Sequence, residues 1–376
     1  MSFTGKATFS AGNTLPEIAE DISDIVSIVS PYETALLDYL GDSNLVATST
    51  VHEWLEDNLQ PNQTSLINAV DEQADEIQVQ DSSLFKTGDL IRFEGYSEIM
   101  QVNAASVAQE ISVTRGYGGS SNEEIVAATK IYRISGAAYE GENAPKAIFT
   151  NRKRCMNYTQ IFTSAIEVSG SMLATKQVGV ADELDYQKQE RLRELLRDLE
   201  NSVINGMSPS LNQQGSHTTR RTMRGLIPSI TSNITDASSS ELTEEALNEA
   251  LRSIWEQSAG HVDTIVVNGY QKRKINNIIS GNRSYSATDN KYSDLVDIYE
   301  SDFGVCRVVL SRWVPRDKIL LLDSSRVSVV PLNGRSFHYK PLASAGDSES
   351  GQLIGEYTLE FRNENAHGLI ENLDVS

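Results

Sequence analysis

The sequence predicts an α+β protein built from more than one packed unit. Its 376 residues exceed the ~250–300 residues at which a single hydrophobic core usually stops growing. Residues 66–135 alternate apolar and polar side chains between regularly spaced turn residues, which is typical of short antiparallel strands. Residues 181–206 instead place leucines on one helical stripe. After residue 225, helical and strand-like segments alternate, which indicates an α/β or α+β domain.

The composition is that of a folded protein, and its negative charge disfavours unspecific binding to other negatively charged molecules. Fifty-two acidic and 32 basic residues give a net charge of −20, which opposes unspecific binding to DNA or anionic membranes. The only two cysteines, Cys155 and Cys306, offer no disulfide framework and favour a reducing compartment. No signal peptide and no run of ~18 apolar residues is present. We therefore expect synthesis in a cytoplasm and no membrane partner.

The first 47 residues are predicted to form an arm with one apolar face. Ile18, Ile22, Ile25 and Val29 recur at helical spacing before a stop at Pro31. The other residues of this segment are acidic or small. The apolar face can therefore lie across a neighbouring subunit as easily as across its own core.

The β-like module is flanked by two segments that look extended, "VATSTVHEWLEDNL" at 46–59 before it and "NYTQIFTSAIEVSGS" at 157–171 after it. The module is therefore interpreted as an insertion in a long two-stranded excursion. Within it, "SVTRGYGGSS" at 112–121 has nearly the glycine spacing of a nucleotide loop. Acidic residues Glu123 and Glu124 follow where a phosphate would sit, so we predict a turn between strands.

The long helix predicted at 181–206 would span about 35–40 Å. Asp182 lies at its positive end, and Gly206 is a natural stop. Two ion pairs are expected on its polar side, Glu190 with Arg193 and Glu194 with Arg197.

The C-terminal half is predicted to alternate helices and strands. Thr243 is placed to cap a helix, with Leu242 and Leu247 as a hydrophobic staple across the cap. Strand "DTIVVN", a short helix, a loop at 281–292 and four further strand candidates follow. The stretch from Gly351 onward reads as one long strand or hairpin.

No catalytic, cofactor or metal site emerges from the residue pattern, and we predict a protein that is not an enzyme. His52 and Glu53 lack the second histidine of a zinc helix. His261 and Asp263 are the best acid–base pair, but no nucleophile motif accompanies them. The carboxylates of "DEQADE" lack the spacing of a calcium loop and indicate a solvated face.

Local basic groups are the remaining candidates for contact with nucleic acid. They form two short clusters, and solvated turns are the alternative interpretation of both. The candidates are Arg152, Lys153 and Arg154, and then Arg220, Arg221 and Arg224.

The order of these elements resembles the major capsid proteins of tailed bacteriophages, which share the Hong Kong 97-type shell fold. The resemblance covers nearly the whole chain, and no single motif is diagnostic. The stretches that carry it are "EDISDIVSIVSPYETALL", "NYTQIFTSAIEVSGS", "YQKQERLRELLRDLENSVINGM", "IYESDFGVCRVVLSRWVPRDKILLLD" and "GDSESGQLIGEYTLEFRNENAHGLIENL". "VTRGYGGS" is similar to a recurring turn in one branch with a β-rich insertion.

The resemblance implies a structural subunit that self-assembles into an icosahedral shell around a phage genome. Pentamers and hexamers, portal, scaffolding and decoration proteins, and packaged double-stranded DNA are the implied partners, in a virion capsid. The implied division is an N-terminal arm (1–47), an extended loop (48–170) carrying the inserted module, a peripheral domain (171–225), an axial domain (226–330) and a C-terminal return to the peripheral domain (331–376). Candidate subunit contacts are Ile22, Ile25, Val29, Trp54, Arg191 and Arg197.

Three alternatives stay open at this point. An encapsulin-like compartment would use the same shell fold around protein cargo, although the β insertion argues against it. A β-type binding or adhesion module would leave the long helix and the C-terminal half without a purpose. A hydrolase using His261 and Asp263 ranks last.

Overall fold

The computed structural model divides the chain into two compact units, Asp57–Lys153 and the combination of Met1–Glu56 with Arg154–Ser376. The predicted arm helix and most of the loop at 281–292 lie outside the described residues. The structure describes residues 34–57, 61–105, 109–137, 140–141, 152–174, 182–258, 260–282, 298–343 and 346–375.

Helices and strands are mixed along the described chain, as the predicted α+β class requires. The helices are α1 (Ala35–Leu40), α2 (Gly170–Ala174), α3 (Glu183–Asn205), α4 (Leu226–Ser229), α5 (Glu244–Gln257) and α6 (Gly269–Asn282). The strands are β1 (Val51–Glu56), β2 (Gln63–Ser65), β3 (Glu76–Gln78), β4 (Asp89–Phe93), β5 (Ile99–Ala105), β6 (Glu110–Thr114), β7 (Lys130–Gly136), β8 (Lys153–Tyr158), β9 (Gln160–Ser169), β10 (Ile234–Asp236), β11 (Thr264–Val267), β12 (Ile298–Ser301), β13 (Gly304–Leu310), β14 (Ile319–Leu322), β15 (Val327–Pro331), β16 (His338–Pro341), β17 (Ser348–Phe361) and β18 (Gly368–Glu371).

The smaller unit is a six-stranded antiparallel barrel with the strand order β2-β7-β4-β5-β6-β3. Ile67 N–H donates to the Gln78 carbonyl at 2.9 Å and Gln80 N–H to the Ser65 carbonyl at 3.0 Å, which joins the two outer strands. The alternation seen in the sequence places its apolar residues inside this barrel. Thirteen of them form the core: Leu66, Val70, Ile77, Val79, Phe85, Ile91, Phe93, Met100, Val102, Ile111, Val113, Ile125 and Ile131.

The larger unit is organised around β17, a 14-residue strand. β9 pairs antiparallel with residues 348–357 of β17, and β15 and β16 pair along its other side. The stripe of α3 shares one core with alternate residues of β9 and β17. Residues 160–169, which we predicted as part of the extended loop, therefore lie in a core sheet. The reason is that Phe162, Ile166 and Val168 are buried against the helix.

A six-stranded mixed sheet, β10-β18-β14-β11-β13-β12, forms the second layer of this unit. Both faces of this sheet are buried. Val266 packs in the core that α3 shares with the β17 sheet, whereas Ile265 and Val267 pack under α5. The segment 331–376, predicted to return to the peripheral domain, is divided between the two sheets. β16 and β17 join the first sheet, and β18 pairs with β14 and β10 in the second.

Most local predictions for α3 are confirmed, and one ion pair is wrong. The Asp182 carboxylate accepts the Leu184 N–H at 2.8 Å, and the helix ends at Gly206. The Gly225 N–H donates to the Gly206 carbonyl at 2.8 Å, and a Cβ on Gly225 would lie 2.6 Å from the Gly206 nitrogen. Glu190 pairs with Arg193 as predicted, whereas Glu194 pairs with Arg191 at 2.6 Å and Arg197 lies 3.8 Å from Asp198.

The helix cap predicted at Thr243 is also confirmed. Its hydroxyl oxygen accepts the Ala246 N–H at 3.2 Å. Leu242 and Leu247 are both buried in the core under α5, as the predicted staple requires.

Candidate functional site

The described residues contain no group of three or more His, Cys, Asp or Glu side chains placed to hold a metal ion. No helix in that part of the chain combines the length and apolarity needed to cross a membrane. The groups that resembled chemical sites in the sequence have structural partners.

The glycine turn in the barrel binds an anion, but the anion is the protein's own carboxylate. Glu98 is fully buried and accepts the N–H groups of Gly116 at 3.2 Å and Glu123 at 2.9 Å. Arg115 pairs with the same carboxylate at 2.7 Å. Burial acts to raise the pKa of Glu98, but Arg115 and the two amides hold it below its usual range. This supports the prediction that the glycine segment is a structural turn between strands and not a nucleotide-binding loop.

The best acid–base pair of the sequence does not form. Asp263 accepts the Ser324 N–H at 2.8 Å and hydrogen bonds from the Ser324 and Thr264 hydroxyls. The Nδ1 atom of His261 lies 3.1 Å from the Val262 carbonyl instead. His261 therefore contacts the backbone of the next residue, whereas Asp263 holds the segment that begins at Ser324.

One buried carboxyl group links three elements around α3. Glu200 Oε2 accepts the N–H groups of Leu36 at 3.2 Å and Leu37 at 3.4 Å, while Oε1 accepts the Ser311 hydroxyl at 2.7 Å. Burial raises the pKa of Glu200 to about 7, against the lowering effect of these hydrogen bonds. The first turn of α1 and the residue after β13 are thereby tied to the long helix.

The predicted subunit contacts of the described chain lie on exposed or half-buried surface. Trp54 of β1 is half-buried, and its indole N–H donates to Glu56 at 2.8 Å. Arg191 and Arg197 lie on the polar side of α3, with 38% and 42% of their side chains exposed. Ile22, Ile25 and Val29 fall outside the described residues.

The loop that carries the second basic cluster runs beside β8, the strand that begins in the first cluster. The Asn157 side chain of β8 accepts the Arg224 N–H at 2.9 Å and donates to the Arg224 carbonyl at 2.9 Å. Residues 221–224 thus run beside β8, which also carries Arg154. We define the basic surface as Arg154, Arg220 and Arg224, all of which are exposed.

Arg221 has a different role from its neighbours. Its guanidinium pairs with the buried Glu356 at 2.5 Å and donates to the Thr159 carbonyl at 2.6 Å. This arginine is therefore held inside the larger unit. Arg152 and Lys153 are exposed.

Sequence reasoning missed two further groups of exposed residues. Trp255 of α5 has 63% of its surface exposed although it belongs to an amphipathic helix. Arg273, Arg312 and Arg316 are also exposed. The run "QKRK" and the two arginines after β13 were visible in the sequence, but only the fold shows that they share one end of a sheet.

Comparison with known protein families identifies the class of this chain. The model of the family described as SU10 major capsid protein matches residues 3–374. The chain therefore belongs to the SU10 major capsid protein family. No curated protein matches it in sequence.

Solved structures give weaker likenesses. One from Mycobacterium phage Bobi is 13% identical, covering 99% of this chain and 100% of its own with a TM-score of 0.49. One from Mycobacterium phage Adephagia is 10% identical, covering 99% of both chains with a TM-score of 0.49. An encapsulin complex from Synechococcus elongatus is 12% identical and covers 60% of this chain and 79% of its own, with a TM-score of 0.45. Because these TM-scores lie below 0.5, the assignment rests on the family model.

The family confirms the prediction of a structural shell subunit. The protein is a major capsid protein, its place is the virion capsid, and it works as a homo-oligomer. The mixed order of helices and strands agrees with the predicted Hong Kong 97-type fold.

Glu200 predicts a specific pH dependence of stability. Its folded pKa of about 7 lies above the ordinary value of 4.5, so its contribution is fully present below pH 4.5 and is lost as the pH rises through 7. Relative to the Glu200→Gln variant, the wild-type free energy of unfolding should fall by roughly 3 kcal/mol over this window. Urea unfolding at several pH values measures it, with Glu245→Gln, at an exposed residue of α5, as control. Parallel curves for wild type and Glu200→Gln would show that the group does not titrate in this way.

Proposed function

We propose that this shell subunit encloses double-stranded DNA and meets it through the basic surface. The single observation that supports this proposal is the contact of Asn157 with Arg224, which places the loop of the second basic cluster beside β8, the strand that carries Arg154. Arg152 and Lys153 precede Arg154 in the sequence and extend the basic run.

The basic surface is positive, whereas the chain as a whole is negative. The chain carries a net charge of −20, so phosphate groups are repelled except where guanidinium groups cluster. Contacts from such a cluster to phosphates are independent of base sequence and weaken as salt rises. A surface of this kind suits a genome that must be held at any sequence and later released.

The elements of the fold take the following proposed places in the shell. Residues 1–47 form the arm, and 48–159 form an extended loop that carries the barrel over a neighbour. The sheet of β17 and the helix α3 belong to the peripheral domain. The six-stranded mixed sheet of the larger unit belongs to the axial domain of pentamers and hexamers. Portal, scaffolding and decoration proteins are the further proposed partners, and the bacterial host cytoplasm is the proposed place of synthesis.

Contacts between copies are proposed at the arm, β1 and the long helix. Ile22, Ile25 and Val29 would dock on an adjacent subunit, and Trp54, Arg191 and Arg197 would meet others. A closed shell gives every subunit several interfaces at once, so contacts of about 1,600 Å² hold collectively.

Assembly of the purified chain tests this proposal. Light scattering with negative-stain microscopy should show closed particles, or rings of five and six copies. Deleting residues 1–30 should leave a folded monomer that no longer closes shells, because the apolar face of the arm is lost. A full-length chain that stays monomeric in every condition, including high salt, would contradict the proposal. Normal shells without the arm would remove only the arm's role.

DNA binding is tested by removing the basic surface. The triple variant Arg154→Ala, Arg220→Ala, Arg224→Ala should bind a short duplex more weakly, with the slope of log affinity against log salt reduced by about 2–3 because each lost phosphate contact removes ~0.9. The matched control replaces three exposed cations elsewhere, Lys86→Ala, Arg92→Ala and Arg193→Ala. Equal slopes for the triple variant and the wild type would refute a role of this surface in holding DNA.

A further inference from the structure

One end of the six-stranded sheet of the larger unit, where β13 begins, carries acidic residues and an exposed aromatic side chain. "Edge" here means an end of the strands, not an outer strand. Trp255 lies at the end of α5, and its ring centroid is 6.1 Å from that of Phe303 in the turn between β12 and β13. Glu256 follows Trp255 in the chain and Asp302 precedes Phe303, and both carboxylates are on exposed or partly exposed residues. Arg252 pairs with Glu249 and Glu256 and neutralises part of the local charge. We call this region the tryptophan edge: Trp255, Phe303, Glu249, Glu256, Glu300 and Asp302.

A cleft of about 310 Å³ lies beside the two rings of the tryptophan edge. Leu251, Ile254, Val262 and Cys306 line it together with the polar residues Ser258 and His261. An exposed tryptophan beside an open cleft marks a candidate contact surface. Its acidic surroundings favour a cationic occupant, since the face of an indole ring attracts guanidinium groups.

The opposite edge of the same sheet is basic. We call it the arginine edge: Arg273, Arg312 and Arg316. The Asn268 side chain donates to the Val314 carbonyl at 3.0 Å, and Gln271 donates to the Arg316 carbonyl at 2.8 Å, which holds this loop against the start of α6. All three arginines are exposed, and none has an ion pair or side-chain hydrogen bond among the described residues.

Strand direction places these two edges at opposite ends of the sheet. β11 and β13 run parallel, in register from Thr264 with Arg307 to Val267 with Leu310. The tryptophan edge lies where β13 begins, at Gly304, and the arginine edge follows its end at Leu310. Seven residues of strand separate them by roughly 20 Å. One copy therefore cannot bring its own two edges together.

We propose that the arginine edge of one copy docks into the tryptophan edge of a second copy of this chain. A contact between two different surfaces of identical subunits is head-to-tail, and it closes into a ring when the rotation per subunit allows. An arginine of the docking copy enters the cleft and stacks on Trp255, while its neighbours meet the carboxylates around the rim. The contact also explains how copies with a net charge of −20 approach each other, because opposite charges meet locally.

This inference rests on the proposed function, since it names the surfaces by which subunits form rings. The test uses the full-length chain, with mass photometry and negative-stain microscopy to count rings and shells. Trp255→Ala should raise the protein concentration needed for assembly about tenfold, as expected for the loss of a central aromatic contact. The double reversal Arg312→Glu, Arg316→Glu should do at least the same.

Charge exchange makes the test specific to this pair of surfaces. The double variant Glu256→Lys, Asp302→Lys should also block ring formation, and combining it with Arg312→Glu, Arg316→Glu should restore rings. Lys153→Glu with Lys340→Glu, at two exposed lysines that the proposal places in no contact between copies, is the matched control and should assemble like wild type. Circular dichroism and thermal melting verify that each variant is folded.

The outcomes separate this inference from the proposed function. If the wild-type chain forms no rings or shells, the proposed function fails and the contact fails with it. If wild type assembles and the folded arginine-edge variant assembles equally well, the head-to-tail contact is wrong while the shell function stands. Loss of assembly in both double variants without rescue by their combination would also overturn the pairing.

Discussion

Buried glutamates impose the constraint on which the larger unit depends. A carboxylate removed from water is costly unless charged or hydrogen-bonding partners surround it. Glu200, Glu356 and Glu360 are each at most 3% exposed, so each must recruit donors from other parts of the chain. Their partners come from segments that are far apart in the sequence, and meeting these demands fixes where those segments lie.

The partners of Glu356 and Glu360 show how this constraint shapes the unit. Glu356 accepts the Thr159 hydroxyl at 2.6 Å and pairs with Arg221 at 2.5 Å and Arg335 at 2.8 Å. Glu360 pairs with His52 at 2.6 Å, which holds β1 against the end of β17. Both carboxylates lie on one strand. The loop after α3, the turn after β15 and β1 are therefore all anchored to β17.

This anchoring matters for a shell subunit because contacts between copies have to be presented at constant spacing. The basic surface depends on it directly, since Arg221 is bound inside the unit while Arg220 and Arg224 stay exposed on either side. The barrel is stabilised separately, by its own apolar core and by the Glu98–Arg115 pair. Each unit thus has an independent source of rigidity, which is consistent with a fold that repeats in many copies.

The sequence predicted those features that depend on neighbouring residues. The leucine stripe, the Asp182 and Thr243 caps and the alternating strands of the barrel follow from periodicity and capping chemistry within a few residues. The pairing of β9 with β17 and the partner of Arg221 could not be predicted, because both join segments well over 100 residues apart. The tryptophan and arginine edges were missed for the same reason, since strand order decides which exposed residues share an edge. Family resemblance supplied the shell function, which no local motif encodes.

Cryo-electron microscopy of particles assembled from the purified chain would show which surfaces of neighbouring copies meet. We expect a closed shell in which the six-stranded sheets of the larger units surround five- and six-fold axes and the basic surface faces the interior. Density for Trp255 should lie beside an arginine of the adjacent copy. Particles held together through the barrel alone, with these sheets apart from one another and the basic surface facing outward, would contradict this expectation.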